Sequence, residues 1–389
     1  MTTDTMTAEE RLQTVIGLGE PDRVPVAPMI YYFAAYYAGI TVHELWSDPK
    51  KYDYAIDKCF NDLGPWDIYY PINPVIPEAY SFILPMKIKY AGIDLPPDEI
   101  SQVIEETIMT AEEYGKIAKG GSRRPLIKYM NFLADLAGRV QPTPQKGFIA
   151  RMRMIRKLAK QIPAWRQEFP KWWERDVAIQ HGLCSEAPFD TFSMSRGMFD
   201  FSLDLMDDPE PIAAAAAALA EGYVIFADKV TKLTGVRRML VFCHRTSNDF
   251  MSPEHFEKYA FPSLKTIVNG LISRGITPIL HCDGNWDKNL EFLHIFPKGK
   301  VVLQFDGRTD IFRAKEVIGG HCCIFGDVPA TMLAFGGKEE VSEYCKKLID
   351  NVGKGGGFIL GAGCEIAPNA RPENVKAMID SVREFGYYS

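Results

Sequence analysis

The chain has 389 residues, of which 47% are hydrophobic and 24% charged, with 31 Gly and 26 Pro; these ordinary globular values exclude disordered, collagenous and coiled-coil readings. At ~100–200 residues per domain the length allows two or three domains, or one α/β barrel. A net charge of −6, from 50 acids against 44 bases, gives no electrostatic footprint for nucleic acid or an anionic membrane surface.

Met1 to Arg11 is polar and no apolar run follows a basic start, so no secretory signal is expected. Arg23 to Ile30 and Trp66 to Tyr70 read as the first two strands. From Pro74 to Glu186 the pattern departs from strand–helix alternation: Met86 to Gly92, with Asp94-Leu95-Pro96-Pro97, reads as a hairpin arm. Thr110-Ala111-Glu112-Glu113 reads as a capping box. Arg151 to Glu174, with Trp165, Trp172 and Trp173, reads as a helical lid or interface insertion, or equally as an amphipathic helix whose Trp side chains dock on a barrel.

Beyond this stretch short apolar runs alternate with helices. Phe189 to Met194 is expected as a strand, Pro211 to Lys232 as a helix and Arg238 to Cys243 as a strand. Ser252-Pro253-Glu254 opens a helix with an N-cap Ser and Pro at its first position. Strands are expected at Ile276 to His281, Val301 to Phe305, Cys322 to Phe325 and Phe358 to Leu360. Helices are expected at Trp286–His294, Phe312–Val317, Glu339–Asn351 and Pro372–Phe385. Continuous apolar strands mark a parallel sheet covered on both faces. Eight of them suit a single (β/α)8 TIM barrel over residues 1–389, with a helical and hairpin elaboration at about 74–186. A doubly wound sheet is disfavoured because no Gly-rich phosphate fingerprint follows the first strand. The longest greasy tract, Ile212 to Ala220, falls short of the ~20 residues that span a bilayer. The expectation is a soluble, cytoplasmic protein with no nucleic-acid or membrane partner; a homodimer is one arrangement the sequence leaves open.

Barrel chemistry sits at the C-terminal ends of strands. Asn248 and Asp249, the run His281-Cys282-Asp283-Gly284-Asn285, Asp306, Asp327 and Cys364-Glu365 fall there. His281 and Asp283, at i and i+2, point the same way while Cys282 points away. With Cys364 they could form a three-ligand zinc site with an open fourth position. A strand-end His bonded to a carbonyl and an ordinary buried Cys meet the same spacing, and spacing alone does not decide. His321, Cys322 and Cys323 start a strand and read as packing. The other thiols, among the eight cysteines, show no C-x-x-C pair and no disulfide spacing. Tyr31 and Tyr32 could wall the barrel mouth for a flat or methyl-bearing substrate.

Several ordered segments resemble the uroporphyrinogen decarboxylase superfamily: Glu10-Arg11 through Pro21-Asp22-Arg23-Val24-Pro25-Val26; Asp249 to Phe256 with Phe261-Pro262; Gly326-Asp327-Val328-Pro329; and Gly356 to Leu360 with Pro372-Glu373-Asn374-Val375. The resemblance is weakest between Pro74 and Glu186, and it implies the same barrel. True decarboxylases of the superfamily carry a Met-Arg-Gln-Ala-Gly-Arg run whose arginines hold substrate carboxylates; here Met29-Ile30-Tyr31-Tyr32-Phe33-Ala34 has no Arg. The other branch, corrinoid-dependent methyltransferases, binds zinc through His-x-Cys-Gly and a later Cys. The counterparts are His281-Cys282-Asp283-Gly284 and Cys364, with Asp283 in place of a thiolate and Glu365 as reserve ligand. A carboxylate makes the zinc harder and better matched to oxygen. The resemblance thus implies zinc at His281, Asp283 and Cys364, and a methyl group passed from a small-molecule methoxy donor to the corrinoid (cobalamin) of a partner protein. Asp249 and Glu365 would be the catalytic acids, and Tyr31, Tyr32, Asn248 and Trp286 the substrate contacts. A tetrapyrrole decarboxylase, a methylcobamide:thiol methyltransferase and a non-catalytic corrinoid- or tetrapyrrole-binding scaffold are the alternatives.

Overall fold

The computed structural model describes residues 4–71, 84–140 and 147–388, with some side chains between 150 and 165 left out. The strands are β1 (Val26–Ala27), β2 (Ile68–Tyr69), β3 (Lys87–Lys89), β4 (Gln102–Ile104), β5 (Ala178–Ile179), β6 (Leu183–Glu186), β7 (Arg238–Cys243), β8 (Thr277–Cys282), β9 (Val302–Phe305), β10 (Cys323–Val328) and β11 (Phe358–Ala362). Seven pair in the order β1-β11-β10-β9-β8-β7-β6, all in parallel. The circuit closes through β2, whose flanking Asp67 N–H donates to Val26 O at 3.1 Å and which pairs in parallel with β5. Strand β5 runs on through Gly182 into β6, so the two are halves of one barrel strand. With β5 and β6 counted together, eight strands enclose the barrel among the described residues.

Period-2 alternation sorts the strand residues into two cores. Ala27, Ile68, Ala178, Leu240, Phe242, Ile279, Val302, Cys323, Phe325 and Ile359 fill the interior. Val26, Tyr69, Ile179, Val241, Cys243, Leu280, Cys282, Leu303, Ile324 and Leu360 face the helices. Helix Glu210–Thr234 belongs to that outer layer. By length and composition it could cross a membrane, contrary to the reading of its alanine tract as too short, but 56% of its apolar window is buried against the protein. Gly222 permits the packing: a Cβ there would lie 2.3 Å from Pro125 O on helix Pro125–Arg139.

The third barrel strand corrects the sequence reading. Phe189 to Met194 is not a strand but part of helix Pro188–Arg196, with Pro at its first turn and Phe189 and Phe192 one helical turn apart on its buried side. The strand lies earlier, at β5 and β6, inside the stretch assigned to the elaboration. Its tip, Ser185 and Glu186, is polar, and an apolar-run criterion passes over it. Trp286–His294 is likewise displaced: a 3-10 turn forms at Leu290–Ile295.

The hairpin arm is present, with β3 antiparallel to β4. The capping box is half formed, since Glu113 accepts the Thr110 N–H but no side chain caps helix Glu112–Lys119. Helix Gly147–Trp173 docks on the barrel through Trp172, which is buried and stacks on Tyr69 at 4.3 Å; Trp173 is half exposed, and the Trp165 side chain lies outside the described residues.

Candidate metal centre

Strand register brings distant residues to one mouth. His281, the inward residue near the end of β8, is buried, and Asp283 follows one step beyond the strand. Cys364 lies two residues past β11. Their donor atoms all lie within 4.8 Å of one another. His281 Nε2 is 3.0 Å from Asp283 Oδ1 and 3.8 Å from Cys364 Sγ. Burial works against a charged His281, but the Asp283 carboxylate outweighs it and lifts the imidazole well above its ordinary value. Burial likewise opposes the Asp283 carboxylate, and His281 overcomes it, holding Asp283 below the usual range. One imidazole, one carboxylate and one thiol, converging on a point open to a cavity, fit the requirements of a catalytic zinc with a free position. The outward neighbour Cys282 is buried and reaches the Leu280 carbonyl.

The loop that carries Asp283 is held by its own surroundings. Gly284 adopts φ +79°, and a Cβ there would lie 2.5 Å from Ser247 Oγ. Asp306 Oδ2 accepts the Gly284 N–H at 2.8 Å. Asp249 Oδ2 accepts the Asn285 N–H at 2.9 Å, Asn248 N–H donates to Asn285 O at 2.7 Å, and Trp286 Nε1 donates to Asp283 O at 3.1 Å. Asn248, Asp249 and Trp286 therefore staple the loop. None of the three is among the cavity-lining residues, so the structure brings neither Asp249, expected as a catalytic acid, nor Asn248 and Trp286, expected as substrate contacts, to the cavity wall.

A cavity of about 420 Å³ opens beside the donor cluster, lined by Tyr31, Tyr32, Trp46, Tyr90, Asp283 and Glu365 among others. The sequence-predicted Tyr31, Tyr32 and Glu365 do meet there. Glu365 accepts a hydrogen bond from Tyr70 Oη at 3.2 Å, and burial pushes its carboxyl up to about 7. The hairpin contributes Ile88, Tyr90, Ser101 and Val103. It is tied down by His43 N–H to Pro97 O at 2.9 Å and by His43 Nδ1 near Ala91 O at 3.1 Å.

Sequence reasoning missed Trp46, Tyr90, His244 and Arg245 as lining residues. For His244 and Arg245 a signal existed, since they directly follow an apolar strand; Trp46 and Tyr90 come from elements outside the barrel repeat and carry none. Arg245 is already engaged: its guanidinium donates to Ser193 O at 3.0 Å and pairs with Glu105 at 2.9 Å.

Comparison with known proteins adds to this geometry. A family model described as uroporphyrinogen decarboxylase (URO-D) matches residues 182–385. The chain is 27% identical over 175 residues to a uroporphyrinogen decarboxylase of Geobacter metallireducens, covering 42% of this chain and 50% of that one. It is 26% identical over 178 residues to the methylcobamide:CoM methyltransferase MtbA of Methanosarcina acetivorans, covering 46% and 51%. The chain thus spans about half the length of these curated relatives. A solved methyltransferase from Methanosarcina mazei superposes with a TM-score of 0.69 at 20% identity, covering 98% of this chain and 99% of that one, which shows a shared fold. The family match takes in more than half of the chain, including every barrel strand from β6 to β11 and all three metal-compatible donors, and on that footing the chain belongs to the uroporphyrinogen decarboxylase family.

Proposed function

We propose that this protein is a zinc-dependent methyltransferase that takes a methyl group from a methoxy compound, with an aromatic methyl ether as the favoured donor, for delivery to the corrinoid of a partner protein. The observation that carries the reading is the convergence of His281, Asp283 and Cys364 within 4.8 Å beside an aromatic cavity. Zinc held by these three residues would supply Lewis acidity toward the ether oxygen, whose poor leaving ability makes the methyl–oxygen bond inert. Asp283 in place of a thiolate suits an oxygen substrate better than a thiol. Tyr31, Tyr32, Trp46 and Tyr90 bind and orient the ring, and Leu84, Met86, Ile88 and Val103 exclude water around it. Glu365, held by Tyr70, presents its carboxyl to the same space.

The family name also supports a tetrapyrrole decarboxylase. Against it, the cavity wall carries two acids, Asp283 and Glu365, while the guanidinium of Arg245 is spent on Glu105 and Ser193. A substrate with several carboxylates would meet no free bidentate partner among the described lining residues.

The test is incubation of the zinc-loaded protein with a reduced corrinoid protein and a panel of methoxyaromatics. Demethylation with methyl-corrinoid formation is expected. Methyl transfer only from methyl-corrinoid to a thiol would reverse the direction, and carbon dioxide release from a carboxylated tetrapyrrole would return the decarboxylase reading.

A further inference from the structure

Glu186 ends β6, His244 follows the last residue of β7 and Asp283 follows the last residue of β8, so three adjacent strand ends carry three ionisable groups side by side. The Glu186 side chain is fully buried, and neither carboxylate oxygen accepts a hydrogen bond among the described residues. It faces His244, whose Nδ1 lies 3.3 Å from Glu186 Oε1. The far side of the same ring, Nε2, lies 3.6 Å from Asp283 Oδ2. The His244 ring rests on Phe242 with centroids 5.0 Å apart, which restricts its plane. Asp283 therefore turns one oxygen to His244 and the other to His281. The nearby Asp190 accepts the Arg245 backbone N–H through Oδ1 at 2.8 Å.

A fully buried carboxyl group is costly in a fold unless a polar partner faces it. Nothing in the proposed chemistry uses Glu186, and it does not line the cavity. Carboxylates that ligate metals are themselves held by outer partners, which fix their orientation. We propose that Glu186 and His244 are positioning residues: Glu186 anchors the imidazole, and the imidazole fixes the Asp283 carboxylate in the orientation that completes the metal site. The proposal rests on the zinc reading above.

The experiment measures zinc affinity of the full chain by competition with a chromogenic chelator, with melting temperature recorded alongside. Glu186→Gln and His244→Gln are each expected to weaken zinc binding ~10–100-fold. Because the pair acts through Asp283, neither change should alter affinity by more than about twofold in an Asp283→Ala background. Equal losses in both backgrounds would indicate general disturbance of the barrel and overturn the proposal, as would single variants with unaltered affinity. Should Glu186→Gln fail to fold, the partly exposed His244 carries the same comparison. Zinc uptake that depends on Cys364 but not on Glu186 or His244 overturns this inference alone. A wild-type chain that takes up no zinc overturns the metal reading and this inference together.

Discussion

Cys364 Sγ stands 3.8 Å from His281 Nε2, although 83 residues separate them in the chain. Two strand ends of one barrel hold them together, so each donor can be removed without cutting an element that holds the other. His281→Ala and Cys364→Ala are expected to lose nearly all bound zinc while remaining folded. Elemental analysis of the purified variants checks this, and full occupancy in both would remove the assignment.

Cys282 lies between the two β8 donors but packs in the outer core. Cys282→Ala should keep full zinc content and lower stability by about 1 kcal/mol, the scale for trimming a small buried side chain. Metal loss in this variant would mean that β8 is out of register by one residue.

Gly284 sets the turn that aims Asp283. Gly284→Ala must place a side chain at φ +79° and against Ser247, which costs more than about 1 kcal/mol and displaces the loop. Chemical denaturation should show the lost stability, and zinc affinity should fall with it. Wild-type values for both would show that the loop tolerates a Cβ.

Asp327 gives a pH signature from a group outside the donor set. Burial pushes its carboxyl up to about 6, against a hydrogen bond from Tyr344 Oη at 2.8 Å. The folded chain thus holds this proton where the unfolded chain has released it, so stability falls as pH rises from about 4 to about 6. The cost is complete above that window, and two units correspond to about 3 kcal/mol. Below pH about 4 the group is neutral in both states and contributes nothing. Asp327→Asn should make the fall between pH 4 and 6 shallower in urea titrations, leaving the share of other buried carboxyls such as Glu365; an unchanged slope would assign the fall to those groups alone.

Tyr31 and Tyr32 lie with ring centroids 4.1 Å apart at the cavity wall. If they orient an aromatic donor, Tyr31→Leu should raise KM ~2–10-fold, matching the ~0.5–1.5 kcal/mol of an aromatic pair, with little change in kcat. An equal fall in kcat would shift the role of Tyr31 toward the reacting atoms.

Strands β7 to β11 were legible because they are covered on both faces and read as unbroken apolar runs. Strand β6 was not, because Glu186 and Ser185 occupy its tip, and a buried polar tip defeats a hydrophobic criterion. The donors His281 and Asp283 could be paired from strand alternation alone. The roles of Asn248, Asp249 and Trp286 could not: a polar residue after a strand can face a ligand or bond to the loop backbone, and only the fold shows that these three do the second, Asp249 accepting an amide N–H and the other two donating to carbonyls. Trp46 and Tyr90 were hidden for a different reason, since they arrive from a helix and a hairpin that the barrel repeat does not specify.

The hairpin has a consequence for how such a protein can diversify. The donors sit at the ends of barrel strands, whereas Ile88, Tyr90, Ser101 and Val103 reach the cavity from β3, β4 and their flanks, which form an antiparallel ladder of their own, fastened to the rest of the chain by contacts such as Glu105 with Arg245. Under the proposed function, part of recognition thus rests on an element other than those that carry the donors. Exchanging the segment between β3 and β4 can recast which molecule enters while the scaffold beneath keeps its reactive corner intact, giving substrate range a route to drift that the chemistry does not feel.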